Sequence, residues 1–254
     1  MRKVLITAPV HQDENIFKEY LWSLNRLCMP NDTEVKRFFY LHNCENLKEL
    51  LNEDEYMIIN DDSSFEITEK THFWKNENFS AVAKMRTLAL EKAREEDYDY
   101  IFSIDSDVLL NPITLSLLMN DNKDIVGNIY WTDFNGKGVL MPNCYDQEGT
   151  QFDSKKGGMD RLKIMGLYEI GVVGACTLIG KRVIQNPLIN YFPIKNISST
   201  KWEDQAFITR ARCLIPDITV YIDTRKPARH LYRQSEYNLW MKDKAEIYGT
   251  EDYE

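Results

Sequence analysis

Two aspartates one residue apart, Asp105-Ser106-Asp107, stand at the end of an aromatic and aliphatic run in YDYIFSIDSDVLL, Tyr98 to Leu110. Tyr98 to Ser103 has the composition of a buried strand. Carboxylates there are costly unless they are paired or coordinate a cation. The carboxyl end of a strand in an open α/β sheet, however, opens on the ligand crevice. Asp105 and Asp107 thus offer hard oxygen ligands for Mg²⁺ or Mn²⁺, with substrate phosphates filling other positions. The competing reading is a pair that caps a strand-to-helix turn, because Asn111-Pro112 then opens a helix. Two more groups can do chemistry: the acidic pair Glu203-Asp204, and a basic cluster of Arg225, Lys226, Arg229 and Arg233 around His230. The cluster can neutralise a diphosphate, and His230 can complete a metal site with the aspartates. Otherwise it is a basic patch on a C-terminal turn, and the acidic pair complements a helix dipole.

These residues need a frame, and the chain reads as alternating strands and helices. Lys3 to Ala8 is a buried-type strand closed by Pro9. Asp13 then caps a helix from about Glu14 to Leu27, with Ile16, Tyr20, Leu24 and Leu27 on one face. Glu34 to Leu41 and Tyr56 to Ile59 read as further strands. Asn78 to Glu96 reads as a helix with Val82, Met85, Ala89 and Ala93 in line, running into the strand of the twin aspartates. On it, Lys84 and Arg86 either reach toward the crevice or are solvated helix charge. A helix follows Pro112 to about Met119, and Ile125 to Tyr130 is a strand. Gly174 to Gly180 permits close backbone approach, Asp204 to Ala211 is helical, Thr219 to Asp223 is a last strand, and Glu236 to Tyr248 is a helix. Residues 131–170 lose periodicity and hold Trp131, Tyr145, Gly136, Gly138, Gly149, Gly157, Gly158 and Gly166; such a segment reads as a binding loop or lid. The alternation implies an α/β fold with a mostly parallel sheet of βαβ units.

A chain of 254 residues can bury a full core, and a single domain over 1–254 is expected. Its 43% hydrophobic and 28% charged residues are those of a soluble globular protein. The net charge of −9 argues against nucleic acid as a partner. No apolar run approaches the roughly 20 residues of a transmembrane segment, and MRKVLITAPV is too short for the apolar h-region of a signal peptide. The five cysteines are scattered without a C-x-x-C, which favours reduced, mostly buried thiols. A cytoplasmic protein is expected, with peripheral membrane attachment as the alternative.

The ordered set AKMRTLAL, IFSIDSDVLL, GACTLIGKRVI, WEDQAF and RHLY resembles the metal-dependent glycosyltransferases of the GT-A fold. The likeness is to the family-2-like group and to the fungal mannan-polymerase type of mannosyltransferase, and it runs from VLITAPVHQDENIFKEYLWSL to the His230 region. It implies a GT-A (Rossmann-like) sheet flanked by helices, with a smaller acceptor-side subregion. Residues 1–110 would form the nucleotide-binding half and 111–254 the acceptor-binding half. Asp105 and Asp107 match the DxD motif, whose second aspartate binds the cation while the first contacts the ribose, or the metal through water. His230 matches a C-terminal histidine that adds a metal ligand. Ala8, Pro9 and Val10 match the turn that lines base and ribose. Arg86 matches an arginine on the helix before the DxD, although Thr87 stands where the family has asparagine. His42-Asn43 stands where the family commonly has an acidic residue on the base. Glu203 and Asp204 match an acceptor-side pair whose aspartate is the base in inverting members; in retaining members it would orient a substrate. The resemblance implies Mn²⁺ or Mg²⁺ and a nucleotide-diphospho-sugar, UDP-linked first and GDP-mannose second, with Arg229 and Arg233 near the diphosphate. The acceptor would be a glycan, lipid-linked or protein hydroxyl. The alternatives are a nucleotidyltransferase, disfavoured because TAPVHQDEN lacks glycine, and a non-catalytic nucleotide-sugar or carbohydrate-binding module.

Overall fold

The computed structural model describes residues 1–62, 66–67, 72–73, 76–134, 136–150, 152, 158–197 and 202–248. The chain runs β1 (Arg2–Val10), α1 (Glu14–Asn25), β2 (Thr33–His42), a 3-10 turn (Glu45–Leu50), β3 (Tyr56–Ile59), β4 (Glu66–Ile67), β5 (His72–Phe73), α2 (Asn76–Glu95), β6 (Tyr100–Ile104) and β7 (Val108–Leu109). It continues as α3 (Thr114–Asn120), β8 (Ile125–Asn128), β9 (Trp131–Thr132), β10 (Met141–Pro142), β11 (Cys144–Tyr145), α4 (Gly158–Leu162), β12 (Leu167–Glu169) and β13 (Val172–Val173). Then come β14 (Cys176–Gly180), α5 (Lys181–Ile184), α6 (Glu203–Leu214), β15 (Val220–Asp223), β16 (Arg229–His230) and α7 (Gln234–Tyr248).

Among the described residues, eight strands form the central sheet in the order β12-β15-β8-β14-β6-β1-β2-β3. β3, β2, β1 and β6 are parallel neighbours, as are β8 and β15. The sheet is mostly parallel and flanked by helices, so the fold is α/β. β14 departs from the expected βαβ pattern and runs antiparallel to both β6 and β8. The chain leaves β8 at the crevice end of the sheet and re-enters at the same end, without the crossover that a parallel strand requires.

Alternation along β1 divides the core. Val4, Ile6, Ala8 and Val10 join one apolar cluster with Phe17, Tyr20 and Phe39, while Leu5 joins the other with Leu90, Ile179 and Phe207. α1 is capped by Asp13, whose carboxylate accepts from Asn15 N at 2.9 Å. It ends at Asn25, short of the expected Leu27, although the stripe of Ile16, Tyr20, Leu24 and Leu27 is buried throughout. β1 also runs on through Pro9 to Val10, where a turn was expected. Pairing with β6 covers only Val4 to Thr7, so Pro9 has a strand on one side only and its missing N–H is tolerated.

The segment 131–170 is more structured than its sequence predicts. β9 pairs with β10, β11 with β13, and β12 takes the edge of the central sheet. Strands of two or three residues are too short to carry a readable period. Gly157 lies outside the described residues. No helix among the described residues is long and apolar enough to cross a membrane.

α7 closes the fold by packing on α1. Trp240 Nε1 donates to Glu19 Oε2 at 2.7 Å, and Lys244 Nζ lies 3.0 Å from the same carboxylate. The Trp22 and Trp240 rings meet at 5.7 Å.

Candidate active site

β6 ends at Ile104, and a tight turn follows in which Val108 N donates to the Asp105 carbonyl at 3.0 Å. Because β14 is antiparallel to β6, its amino end lies beside these aspartates. Asp105 N donates to the Ala175 carbonyl at 2.7 Å, and Cys176 N donates to that of Gly174 at 2.8 Å. Ala175 is held at φ 66°, in the left-handed region that a residue with a Cβ seldom occupies. Strain of this kind collects where a site over-determines the backbone.

Arg86, buried in α2, joins two groups that lie far apart in sequence. Its Nη2 donates to Asp105 Oδ1 at 2.7 Å and its Nη1 to Ser103 Oγ at 2.9 Å. Its Nε stands 3.9 Å from Glu203 Oε1 at the start of α6. The guanidinium also lies 5.8 Å from the Tyr191 ring centre, and that ring stacks on Phe207 at 4.3 Å. Lys84, two residues earlier, faces solvent.

Asp204 sits where Gly174 has no side chain: an ideal Cβ on Gly174 would lie 1.8 Å from Asp204 Oδ2. Burial and the neighbouring Asp204 push the Glu203 carboxyl up to about 8, with Arg86 opposing. Burial also raises Asp204, again against Arg86. Burial lifts Asp105 to about 6, opposed by Arg86 and assisted by Asp107 and Asp204. Both carboxyls are thus shifted upward by burial, and the Arg86 guanidinium is the charge that opposes the shift in each.

His230 arrives by a backbone route. β16 pairs antiparallel with β7, setting His230 opposite Val108, and Leu231 N donates to the Asp107 carbonyl at 2.8 Å. His230 Nε2 then lies 3.3 Å from Asp107 Oδ1. The Tyr130 and Tyr232 rings flank the imidazole at 4.6 and 5.2 Å. Burial lowers the imidazole pKa, but the Asp107 carboxylate more than offsets it, so the balance is upward. No three His, Cys, Asp or Glu side chains among the described residues converge on one point. The Asp107–His230 pair alone suits a small cation: two ligands about 2.1 Å from an octahedral centre stand roughly 3 Å apart. Such cations are held by one or two protein ligands, with phosphate oxygens and water in the remaining positions. The twin aspartates do not cap α3, whose N-cap residue Ile113 has no side-chain capping bond; Asn111 Oδ1 accepts from Ile113 N at 3.2 Å in the turn before it.

The basic cluster does not gather as its sequence suggests. Arg225 bonds Asp223 at 2.7 Å and Asp121 at 2.5 Å. Arg229 pairs with the Asp243 carboxylate and lies over Trp240 at 5.3 Å. Arg233 bonds Glu236 at 3.1 Å and the Asp133 carbonyl. Lys226 is exposed. A chain with an excess of carboxylates satisfies these arginines internally. Ala8, Pro9 and Val10 lie inside β1, and the turn begins at His11. There His11 Nδ1 donates to the His42 carbonyl at 2.7 Å, and His42 Nε2 meets Asp61 Oδ1 at 3.0 Å. Sequence reasoning missed Asp61 and Tyr191 in this crevice. Gly174 it noticed only as a small residue.

The profile of the family described as Glycosyltransferase family 25, N-terminal domain, matches residues 17–225, a span that contains Arg86, Asp105, Asp107, Glu203 and Asp204. The chain belongs to this family. It is a glycosyltransferase domain, as the ordered motifs suggested. The family 25 domain is 24% identical over 249 residues to procollagen galactosyltransferase 1-A of Xenopus laevis, covering 90% of this chain and 39% of that protein. It is 26% identical over 237 residues to procollagen-lysine,2-oxoglutarate 5-dioxygenase 2 of Homo sapiens, covering 84% of this chain and 30% of that one. The chain thus spans well under half the length of these relatives. Among solved structures, S. aureus TarS superimposes with a TM-score of 0.49 at 14% identity, over 96% of this chain and 39% of that chain.

Proposed function

We propose that this family 25 domain moves a hexose from a nucleotide-diphospho-sugar to an acceptor hydroxyl, with Mn²⁺ or Mg²⁺ held by Asp107 and His230. The observation that supports this most is Arg86, which bonds Asp105 at 2.7 Å and stands 3.9 Å from Glu203, tying the strand-end aspartates to the acidic pair. A bound cation would stabilise charge on the leaving diphosphate. Asp204, whose carboxylate sits against Gly174 beside Arg86 and Glu203, takes the proton of the acceptor hydroxyl as the hydroxyl oxygen attacks the anomeric carbon. The bond from that carbon to the β-phosphate oxygen breaks, and the nucleoside diphosphate leaves with the electron pair. Attack on the face opposite the leaving group inverts the anomeric centre. With Arg229 and Arg233 bound to carboxylates of the chain, neutralising the diphosphate would fall chiefly to a cation held by Asp107 and His230.

One relative is named a galactosyltransferase acting on procollagen, so UDP-galactose is the first donor to test, with a protein or glycan hydroxyl as acceptor. The fungal mannan-polymerase resemblance makes GDP-mannose the second. The test is a calorimetric panel of UDP, GDP, CDP and dTDP, each with Mn²⁺ and with EDTA, followed by turnover of the matching sugar. Metal-dependent binding of one nucleotide is expected. Absence of binding for all four would overturn the reading.

A further inference from the structure

Trp202 is placed where neither the core nor its helix needs it. It is the N-cap residue of α6, a position that favours Ser, Thr, Asp or Asn, and its side chain makes no capping bond. It is 44% exposed, and among the described aromatics only Phe192 and Tyr248 are exposed with it. It is nonetheless held in place: its carbonyl accepts from Ala206 N at 3.0 Å, and its ring meets Phe79, itself buried, edge to face at 4.5 Å and 89°. Phe79 and Arg86 are seven residues apart on α2, which sets them on one face about 10 Å apart along the axis. α2 connects the parallel strands β3 and β6, so its amino end lies at the carboxyl ends of those strands. Phe79, and Trp202 on it, are therefore farther out of the crevice than Arg86, at the mouth on the Glu203-Asp204 side.

We infer that Trp202 is a platform for the acceptor, taking the apolar face of a saccharide ring beyond the reacting hydroxyl. The inference rests on the transferase reading and extends it to a class of acceptor. An indole supplies a flat apolar face to the C–H surface of a sugar and an N–H to a ring hydroxyl. At two helical turns from Arg86, it would touch the distal part of the acceptor and leave the reacting centre alone.

The test uses the chain loaded with UDP and Mn²⁺, into which galactose, lactose and a hydroxyl-bearing peptide are titrated and read by saturation-transfer NMR. Hydrolysis of UDP-galactose is followed in parallel. Lactose is expected to bind more tightly than galactose. Trp202→Ala should weaken lactose binding at least tenfold, Trp202→Phe should retain most of it, and donor hydrolysis should stay within twofold in both. Equal lactose binding by wild type and Trp202→Ala overturns the platform. So does binding of the peptide without any saccharide, or a loss of hydrolysis as large as the loss of binding, which would mark a support for α6 alone. Failure of UDP to bind instead overturns the transferase reading itself, and the platform with it.

Discussion

At the scale of single residues, Glu203 and Asp204 open α6 side by side, and Asp204 is the one seated on Gly174. Asp204→Asn should lower the rate of sugar transfer by about 10²–10⁴-fold while nucleotide binding, measured by calorimetry, stays unchanged. Gly174→Ala should act in the same direction, because its Cβ would occupy space within 1.8 Å of Asp204 Oδ2 and turn that carboxylate away. If Gly174→Ala transfers sugar at the wild-type rate, Asp204 is not held by that contact. Glu203 titrates near 8 in the folded chain against an ordinary carboxyl value of 4.5. The folded state therefore holds this proton more tightly than the unfolded chain does. The stability this brings is complete below about pH 4.5 and is lost as pH rises through about 8. Melting temperature should fall across that window in the wild type, and fall less in Glu203→Gln. The residue types behind these predictions were legible in WEDQAF, but the upward shift of both carboxyls was not. It follows from burial, which Arg86 opposes, and adjacency in sequence reveals neither.

At the scale of elements, an antiparallel strand and a short ladder assemble the site. β14 returns Gly174 and Ala175 to the end of β6, and the β7–β16 ladder delivers His230 to Asp107. The sequence placed β6, α2 and α6 to within a few residues, β6 by its aromatic and aliphatic run and α2 by its helical period. It could not place β7 or β16, two residues each, whose pairing depends on partners about 120 positions away. α7 matters in the same way, since its Asp243 holds Arg229 next to His230. The docking of α7 turns on the buried Glu19, which takes Trp240 and Lys244 together. Removing one member of a buried ion pair typically costs about 3–5 kcal/mol. Glu19→Ala should therefore shift the denaturant midpoint strongly, and Glu19→Ala with Lys244→Met should recover part of the loss. A midpoint unmoved by Glu19→Ala would show that α7 is held by its aromatic contacts alone.

At the scale of the whole molecule, the central sheet draws strands from both 1–110 and 111–254, with the candidate site at the carboxyl ends of its parallel strands. A ligand bound there contacts both parts and should stabilise the chain as a unit. UDP with Mn²⁺ at 100 times its dissociation constant should add about 2.7 kcal/mol, read as a rise in melting temperature. EDTA should abolish the rise; a rise of equal size in EDTA would remove the cation from the account. By itself the sequence determined the alternation of strands and helices, the α/β class and the order of the glycosyltransferase motifs, because apolar period and local composition are properties of neighbouring residues. Only the tertiary structure decided the antiparallel course of β14, the sharing of Arg86 between Asp105 and Glu203, the seat of Asp204 on Gly174, and the diversion of Arg225, Arg229 and Arg233 to carboxylates of the chain. Each of these is a contact between segments whose meeting is set by sheet order and burial, and no local pattern of residues encodes that meeting.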